Sequence, residues 1–360
     1  MTDRPFDFLK IPDHLSSKKT DNNIIFGCHD GDRSMLVDGE YFSPILEGAK
    51  SLIEDKGYNI VNLSHPYSFI PHQLIKGDSL TINYRYFSLK LWMALTKFVL
   101  PKNIRTNLRV KIEATYFRYL IKKISPKVIF AIQPPENLCK AARSLGITVI
   151  ELMHGTNISK KDKIFANHMS KPDEFLPNII LCFDDCTYST VSEICIDRDI
   201  TSSRTHDPWN HLLQYNKNYF PQYSSSVTRS EKFHKHVLIT LQWGYDGERD
   251  CLSGIIPNGI LHPELEKVIR ENTNIFFSVR LHPIQRLRPS YKHHRTYIET
   301  LCSNLQNIEI NYASIVPLPA LLKEVDCHIT MCSSSVGEAA VANVPSLLLC
   351  PSLQEGGGFF

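Results

Sequence analysis

One stretch near the end of the chain constrains the fold more than any other. From Asp326 an apolar, β-branched run, D-C-H-I-T-M-C, gives way to S-S-S-V-G-E-A-A-V-A-N-V and then to P-S-L-L-L-C-P. A short apolar run bounded by turn residues reads as a parallel strand buried on both faces. The small helix formers that follow read as a helix, and the second run, opened by Pro345, as another strand. Strand, turn, helix, strand is the unit of an α/β fold with a parallel sheet. The turn also puts Ser333, Ser334 and Ser335 at a helix N-terminus. Backbone N–H groups, hydroxyls and the positive end of the helix dipole converge there, and that combination suits a phosphate. Glu338 either closes a capping box on its own helix or turns outward to accept hydrogen bonds from ribose hydroxyls.

About fifty residues upstream, N-I-F-F-S-V-R-L-H-P-I-Q-R predicts a strand from Ile275 to Leu281, stopped by His282-Pro283 because proline cannot continue a ladder. Arg280 and His282 then stand near its carboxyl edge, where open parallel sheets bind ligands. Arg286 and Arg288 add positive charge. A second pair, His262-Pro263, reads as a loop entering a helix.

The βα rhythm runs through most of the chain and divides it. Residues 1–22 are a polar lead-in, 23–199 a first Rossmann-like domain, 200–231 a linker region poor in periodicity, and 232–360 a second Rossmann-like domain. In the first, the strand opening at Asn23 runs into a loop carrying His29, Asp30 and Asp32. That loop reads either as acid/base chemistry at a strand end or as an Asx-rich turn. L-M-H-G places His154 at another carboxyl edge, with Gly155 letting the chain turn. In the second half, Trp243, Gly244 and Tyr245 follow a buried strand and are placed to border a diphosphate or sugar. The segment 85–127 is helical in pattern and basic, Glu113 being its only acid. It reads as amphipathic helices with a solvated face, or as a surface for an anionic membrane or lipid-linked acceptor.

Several classes are excluded. No Gly-x-x-x-x-Gly-Lys-Ser/Thr loop and no G-x-G-x-x-G fingerprint occurs, which argues against P-loop and nicotinamide enzymes. The 10 cysteines show no C-x-x-C spacing, so neither a zinc site nor a disulfide framework is indicated. The start is too polar for a signal peptide and no apolar run spans a bilayer, so a cytoplasmic, at most peripheral, protein is expected. A net charge of +3 without a reading motif gives no case for nucleic acid.

With R-L-H-P followed by C-S-S-S-V-G-E-A-A-V-A-N-V-P-S in the second of two Rossmann-like halves, the chain resembles the GT-B glycosyltransferases. The likeness is to bacterial surface and capsular polysaccharide enzymes of sialyltransferase-like and Kdo-transferase-like type. It is close over roughly residues 236–351 and architectural before that. The resemblance implies two domains facing each other across a cleft, with transfer of a sugar from a nucleotide-activated, CMP-type donor to a surface polysaccharide or lipid-linked glycan. It implies donor binding by His282, Pro283, Ser333, Ser334 and Ser335 with Glu338 nearby; Arg280, from its place at the strand end, is expected to help stabilise the leaving phosphate. No cofactor beyond the nucleotide sugar and no metal is expected. Asp30 or Asp32 is the expected base, followed by His154. Such enzymes carry a paired acid before a glycine, whereas this chain has His29-Asp30-Gly31-Asp32. The chain also ends at Phe360, straight after the last strand, where many GT-B proteins continue with crossing helices, as expected of a truncated or divergent member. Two other readings stand beside transfer: a nucleotide-sugar epimerase of the same architecture, which calls for a second carboxylate near Glu338, and a non-catalytic partner in a glycan synthesis complex.

Overall fold

The computed structural model describes residues 11–15, 23–153, 158, 163–216, 219–220, 223, 232–243, 254–287, 289–331 and 333–350. The chain divides into two compact units, Arg4–Trp209 and Asn210–Phe360, the latter with Met1–Asp3.

The first unit opens with β1 (Asn23–Cys28), then a small antiparallel pair, β2 (Met35–Val37) and β3 (Glu40–Phe42). The helix α1 (Pro44–Ser51), strand β4 (Asn59–Ser64), helices α2 (Asn83–Leu95) and α3 (Lys102–Ile124), and β5 (Pro126–Ala131) follow. Next come α4 (Glu136–Arg143), β6 (Thr148–Leu152), α5 (Lys163–Met169), β7 (Ile179–Cys182), α6 (Asp185–Ile194) and β8 (Thr201–Arg204). The main sheet is parallel in the order β4-β1-β5-β6-β7-β8. Period-two alternation in β1 feeds both faces. Ile25 joins Ile129, Val149, Phe117 and Leu120 on one side, while Ile24 and Phe26 join Leu46 on the other. Helices thus cover both faces, as a parallel sheet requires. Gly48 of α1 is fixed by contact: a Cβ there would lie 2.3 Å from the Pro208 carbonyl carbon.

The helix α7 (Pro208–Tyr215) spans the division between the units. The second unit continues with β9 (Lys235–Thr240), α8 (Pro263–Glu271), β10 (Ile275–Arg280), α9 (Pro283–Leu287), α10 (Lys292–Asn304) and β11 (Ile308–Glu309). It then runs through α11 (Asn311–Ile315), α12 (Leu318–Leu321), β12 (Cys327–Thr330), α13 (Ser335–Val341) and β13 (Ser346–Leu348). Its sheet is parallel in the order β11-β10-β9-β12-β13, around a core that includes Ile239, Phe277, Val279, Ile298 and Ile329. Both units are therefore Rossmann-like.

Two local features depart from the sequence reading. Residues expected in a linker, Thr201–Arg204, form the edge strand β8, half-exposed and hence free of the apolar alternation that marks inner strands. The β2–β3 pair was not foreseen, its strands being only three residues each.

Candidate functional site

Strand register assembles the site of the second unit. Thr240 of β9 pairs with Arg280 of β10 on one side and with Thr330 of β12 on the other. Three carboxyl ends therefore lie at one level, followed by Trp243, by His282 and by the three serines. The Trp243 and His282 rings are 6.3 Å apart. Motifs fifty residues apart in sequence thus meet at one sheet edge.

The His282-Pro283 turn is a reciprocal cap. Its Nδ1 accepts the Ile284 N–H at 3.2 Å, while its own backbone N–H donates to Gln285 Oε1 at 2.9 Å. With Nδ1 an acceptor, the neutral ring carries its proton on Nε2. Buried Gln285 also donates from Nε2 to the Gln242 carbonyl at 3.2 Å, locking this turn to the loop after β9. Sequence reasoning missed Gln285, although its place three residues after His282 matches the capping-box spacing. His262 caps α8 in the same way through Glu264 N–H, as expected for a loop entering a helix. Position, not chemistry, separates the two His-Pro pairs.

Arg280 donates through Nη1 to the carbonyls of Ala313 and Val316, and Arg286 through Nη1 to that of Ser314 at 2.6 Å. Both guanidinium groups hold the end of α11, where helix carbonyls lack partners. Burial pushes the Arg280 pKa down to about 10, with nearby Glu338 opposing and Arg286 reinforcing the shift. It remains a cation at neutral pH.

The serines divide the labour of the turn. Ser335 is buried, its hydroxyl 3.3 Å from Thr240 Oγ1 and 3.4 Å from His328 Nε2. Ser333 Oγ accepts the Ser335 N–H at 3.3 Å and shapes the bend. Ser334 is exposed. Half-buried Glu338 borders a cavity of about 180 Å³ lined also by Leu213, Tyr219, Phe220, Pro319 and Lys323. Gly244, Tyr245, His154 and Arg288 lie outside the described residues.

Beneath the serines, His328 hydrogen-bonds Thr240 Oγ1 and Ser346 Oγ, each at 2.9 Å. Burial lowers its pKa to about 4. Its folded pKa lies below the unfolded value near 6.5, so the unfolded chain binds the proton first. Stability is therefore complete above about pH 6.5 and falls as pH drops toward 4, by about 3 kcal/mol from this residue. Denaturation midpoints between pH 7 and 4 should show the loss in wild type and a flatter profile in His328→Asn. An equal slope in both would refute it.

In the first unit, the ends of β1 and β4 bring His29 and His65 together, edge to face at 4.6 Å. His29 is exposed. His65 is buried, neither ring nitrogen has a hydrogen-bond partner, and burial, then His29 and Arg33, hold its pKa well below the usual range. Gly27 makes room for it: a Cβ there would stand 3.2 Å from His65 Nε2. Asp30, expected as a proton acceptor, is buried and occupied. It accepts from Arg33 Nη1 at 2.9 Å, Ser68 Oγ at 2.9 Å, Phe69 N at 2.6 Å and Ile70 N at 2.8 Å. That is the geometry of an anchor for the loop after β4. Asp32 is half-buried in the single turn Asp30–Asp32.

No family model and no curated protein matches the sequence. Among solved structures, the chain is similar to the UDP-GlcNAc 2-epimerase from Neisseria meningitidis bound to UDP-GlcNAc. Identity is 13%, with 91% of this chain and 82% of that chain covered, at a TM-score of 0.55. The S. aureus MnaA–UDP structure is similar at 12% identity, covering 91% of this chain and 79% of that one, TM-score 0.55. The OtsA apo structure is similar at 7% identity, covering 91% and 83%, TM-score 0.53. At such identities the likeness is one of fold: an α/β chain of two Rossmann-like units, of the GT-B type.

Proposed function

We propose that the chain is a glycosyltransferase whose second unit holds a nucleotide-activated sugar and whose first unit handles the acceptor, a surface polysaccharide or lipid-linked glycan. The register of Thr240 with Arg280 and Thr330 carries this reading, because it sets His282, Trp243 and the serine turn along one carboxyl edge. His282 Nε2–H and the Ser334 hydroxyl serve as donors to the departing phosphate, and Glu338 accepts from the ribose hydroxyls. His29, exposed at the end of β1, takes the proton of the acceptor hydroxyl, with Asp32 next in line. The hydroxyl oxygen then bonds to the anomeric carbon while the bond from that carbon to the phosphate oxygen breaks, and the nucleotide leaves with the electron pair. The N. meningitidis and S. aureus neighbours hold UDP-GlcNAc and UDP, whereas the resemblance to sialyltransferase-like and Kdo-transferase-like enzymes implies CMP, and one experiment compares the two. An epimerase would call for a second carboxylate beside Glu338, where Ala339 and Ala340 stand. Incubating the purified chain with CMP- and UDP-sugars and glycan acceptors should yield a glycosylated product by mass spectrometry. Sugar epimerised without an acceptor would refute transfer.

The helices α2 and α3 support a membrane-borne acceptor. Glu113 is buried between Arg109 Nε at 2.8 Å and Asn137 Nδ2 at 2.6 Å, so the outer face carries only positive charge. Around the α2–α3 turn, Trp92, Leu95, Val99 and Ile104 are exposed, Val99 by 80%. Apolar side chains ringed by Lys and Arg suit an anionic lipid surface. Among the described residues no helix is long and apolar enough to cross a membrane. Binding to vesicles containing anionic lipid is expected to fall about tenfold in a Leu95→Ser, Val99→Ser double variant. Equal binding of variant and wild type would contradict this docking.

A further inference from the structure

A second cluster joins the segment 11–15 to the far part of the loop after β4. His14 Nε2 is 3.1 Å from Asp78 Oδ2, and His72 Nδ1 is 2.8 Å from Asp78 Oδ1. The two imidazoles stack with centroids 3.9 Å apart and planes only 3° from parallel, so both nitrogens face one ion only once the rings turn out of this stack. One ligand atom from each of the three residues can be chosen so that all lie within 4.8 Å of one another. We propose that His14, His72 and Asp78 form a site for a divalent transition-metal ion of the zinc type, which fastens the segment 11–15 onto the first unit.

Three observations carry this. His14 Nε2 is shut off from solvent and close to a carboxylate oxygen, yet makes no hydrogen bond with it. A ring nitrogen that approaches an oxygen without aiming at it is what two ligands of one cation show. With metal–ligand bonds of about 2.0–2.2 Å, tetrahedral ligands stand roughly 3.3 Å apart. Two of the three ligands, His14 and Asp78, are also held by supporting bonds, the arrangement that orients metal ligands. The His14 backbone N–H donates to the Thr81 carbonyl and Thr81 Oγ1 donates to the Pro12 carbonyl, which seats the segment. Asp78 Oδ1 accepts the Ser79 N–H at 2.7 Å. Asn62 Nδ2 holds the turn behind it through the carbonyls of Lys76, Gly77 and Asp78. Finally, the ligand set fits: two imidazoles and one carboxylate suit a borderline ion. Asp78, whose side chain is 52% exposed, leaves a fourth position for water.

The probe is the metal alone. The full chain, stripped with chelator, is titrated with Co²⁺ and with Zn²⁺. One equivalent of Co²⁺ is expected to give the intense visible bands of a four-coordinate ion. Zn²⁺ at a hundredfold excess over Kd should raise the melting temperature by about 5 °C. Both responses should vanish in His14→Ala and in His72→Ala. The apo forms of these variants, melting near apo wild type, would exclude general misfolding as the cause. If either variant fails to fold, Asp78→Asn, which keeps the shape of the turn, must lose the Co²⁺ bands. Absence of a stoichiometric spectrum, or a Zn²⁺ shift that survives in the variants, would overturn the site.

Discussion

Replacing Asp30 by alanine is expected to destabilise the first unit by about 3–5 kcal/mol, the range for removing one partner of a buried ion pair. Arg33, only 3% exposed, would keep its charge with no anion beside it. The Phe69 and Ile70 N–H groups would lose their acceptor at the same time, and a buried donor left unsatisfied costs about 1–3 kcal/mol. Asp30→Asn keeps an oxygen acceptor and should cost less, though it still strands the guanidinium. Denaturant midpoints for the two variants, compared with wild type, provide the measurement. If Asp30→Ala melts like wild type but has lost turnover, Asp30 is the proton acceptor after all and the anchoring role is wrong.

His29→Ala should behave in the opposite way. The ring is exposed, so its removal takes little from the fold. Loss of this proposed general base should lower turnover by about 10²–10⁴-fold. His65, fully covered and held neutral by burial, fixes the angle of its neighbour through the edge-to-face contact. Turnover and melting temperature measured together on His29→Ala and Asp32→Asn separate the two candidates. A His29→Ala enzyme with full activity, beside an inactive Asp32→Asn, would move the base to Asp32.

The contrast between these neighbours shows where sequence reasoning reached and where it stopped. The β12–α13–β13 unit and the strand before His282 were legible because burial on both faces leaves an unmistakable apolar run, and proline marks the stop. Their convergence followed from the rule for parallel sheets, before any register was known. Asp30 was open to misreading because its donors, Ser68, Phe69 and Ile70, lie some forty residues away. No local pattern states that a loop will fold back over an acid. Ser335 shows the same limit. Next to two other serines it looked like a phosphate donor, yet the Thr240–His328 pair beneath draws its hydroxyl inward. His65 and the His14, His72, Asp78 cluster were silent for the same reason, since their meaning lies in contacts between distant segments. The strand β8 was hidden by its place at the sheet edge, where polar side chains are tolerated.

Nucleotide binding through His282 at the carboxyl edge of the second unit is the proposal on which the donor site rests. Melting temperatures of wild type and His282→Asn with CMP, CDP, UDP, GDP and ADP test it most directly. Asparagine retains an acceptor for the Ile284 N–H while removing the Nε2 donor, so the turn survives and the contact does not. One nucleotide should stabilise wild type by about 2.7 kcal/mol at a hundredfold excess over Kd, with the effect lost or sharply reduced in the variant. No stabilisation by any of the five, or the same stabilisation in both proteins, would contradict the donor site.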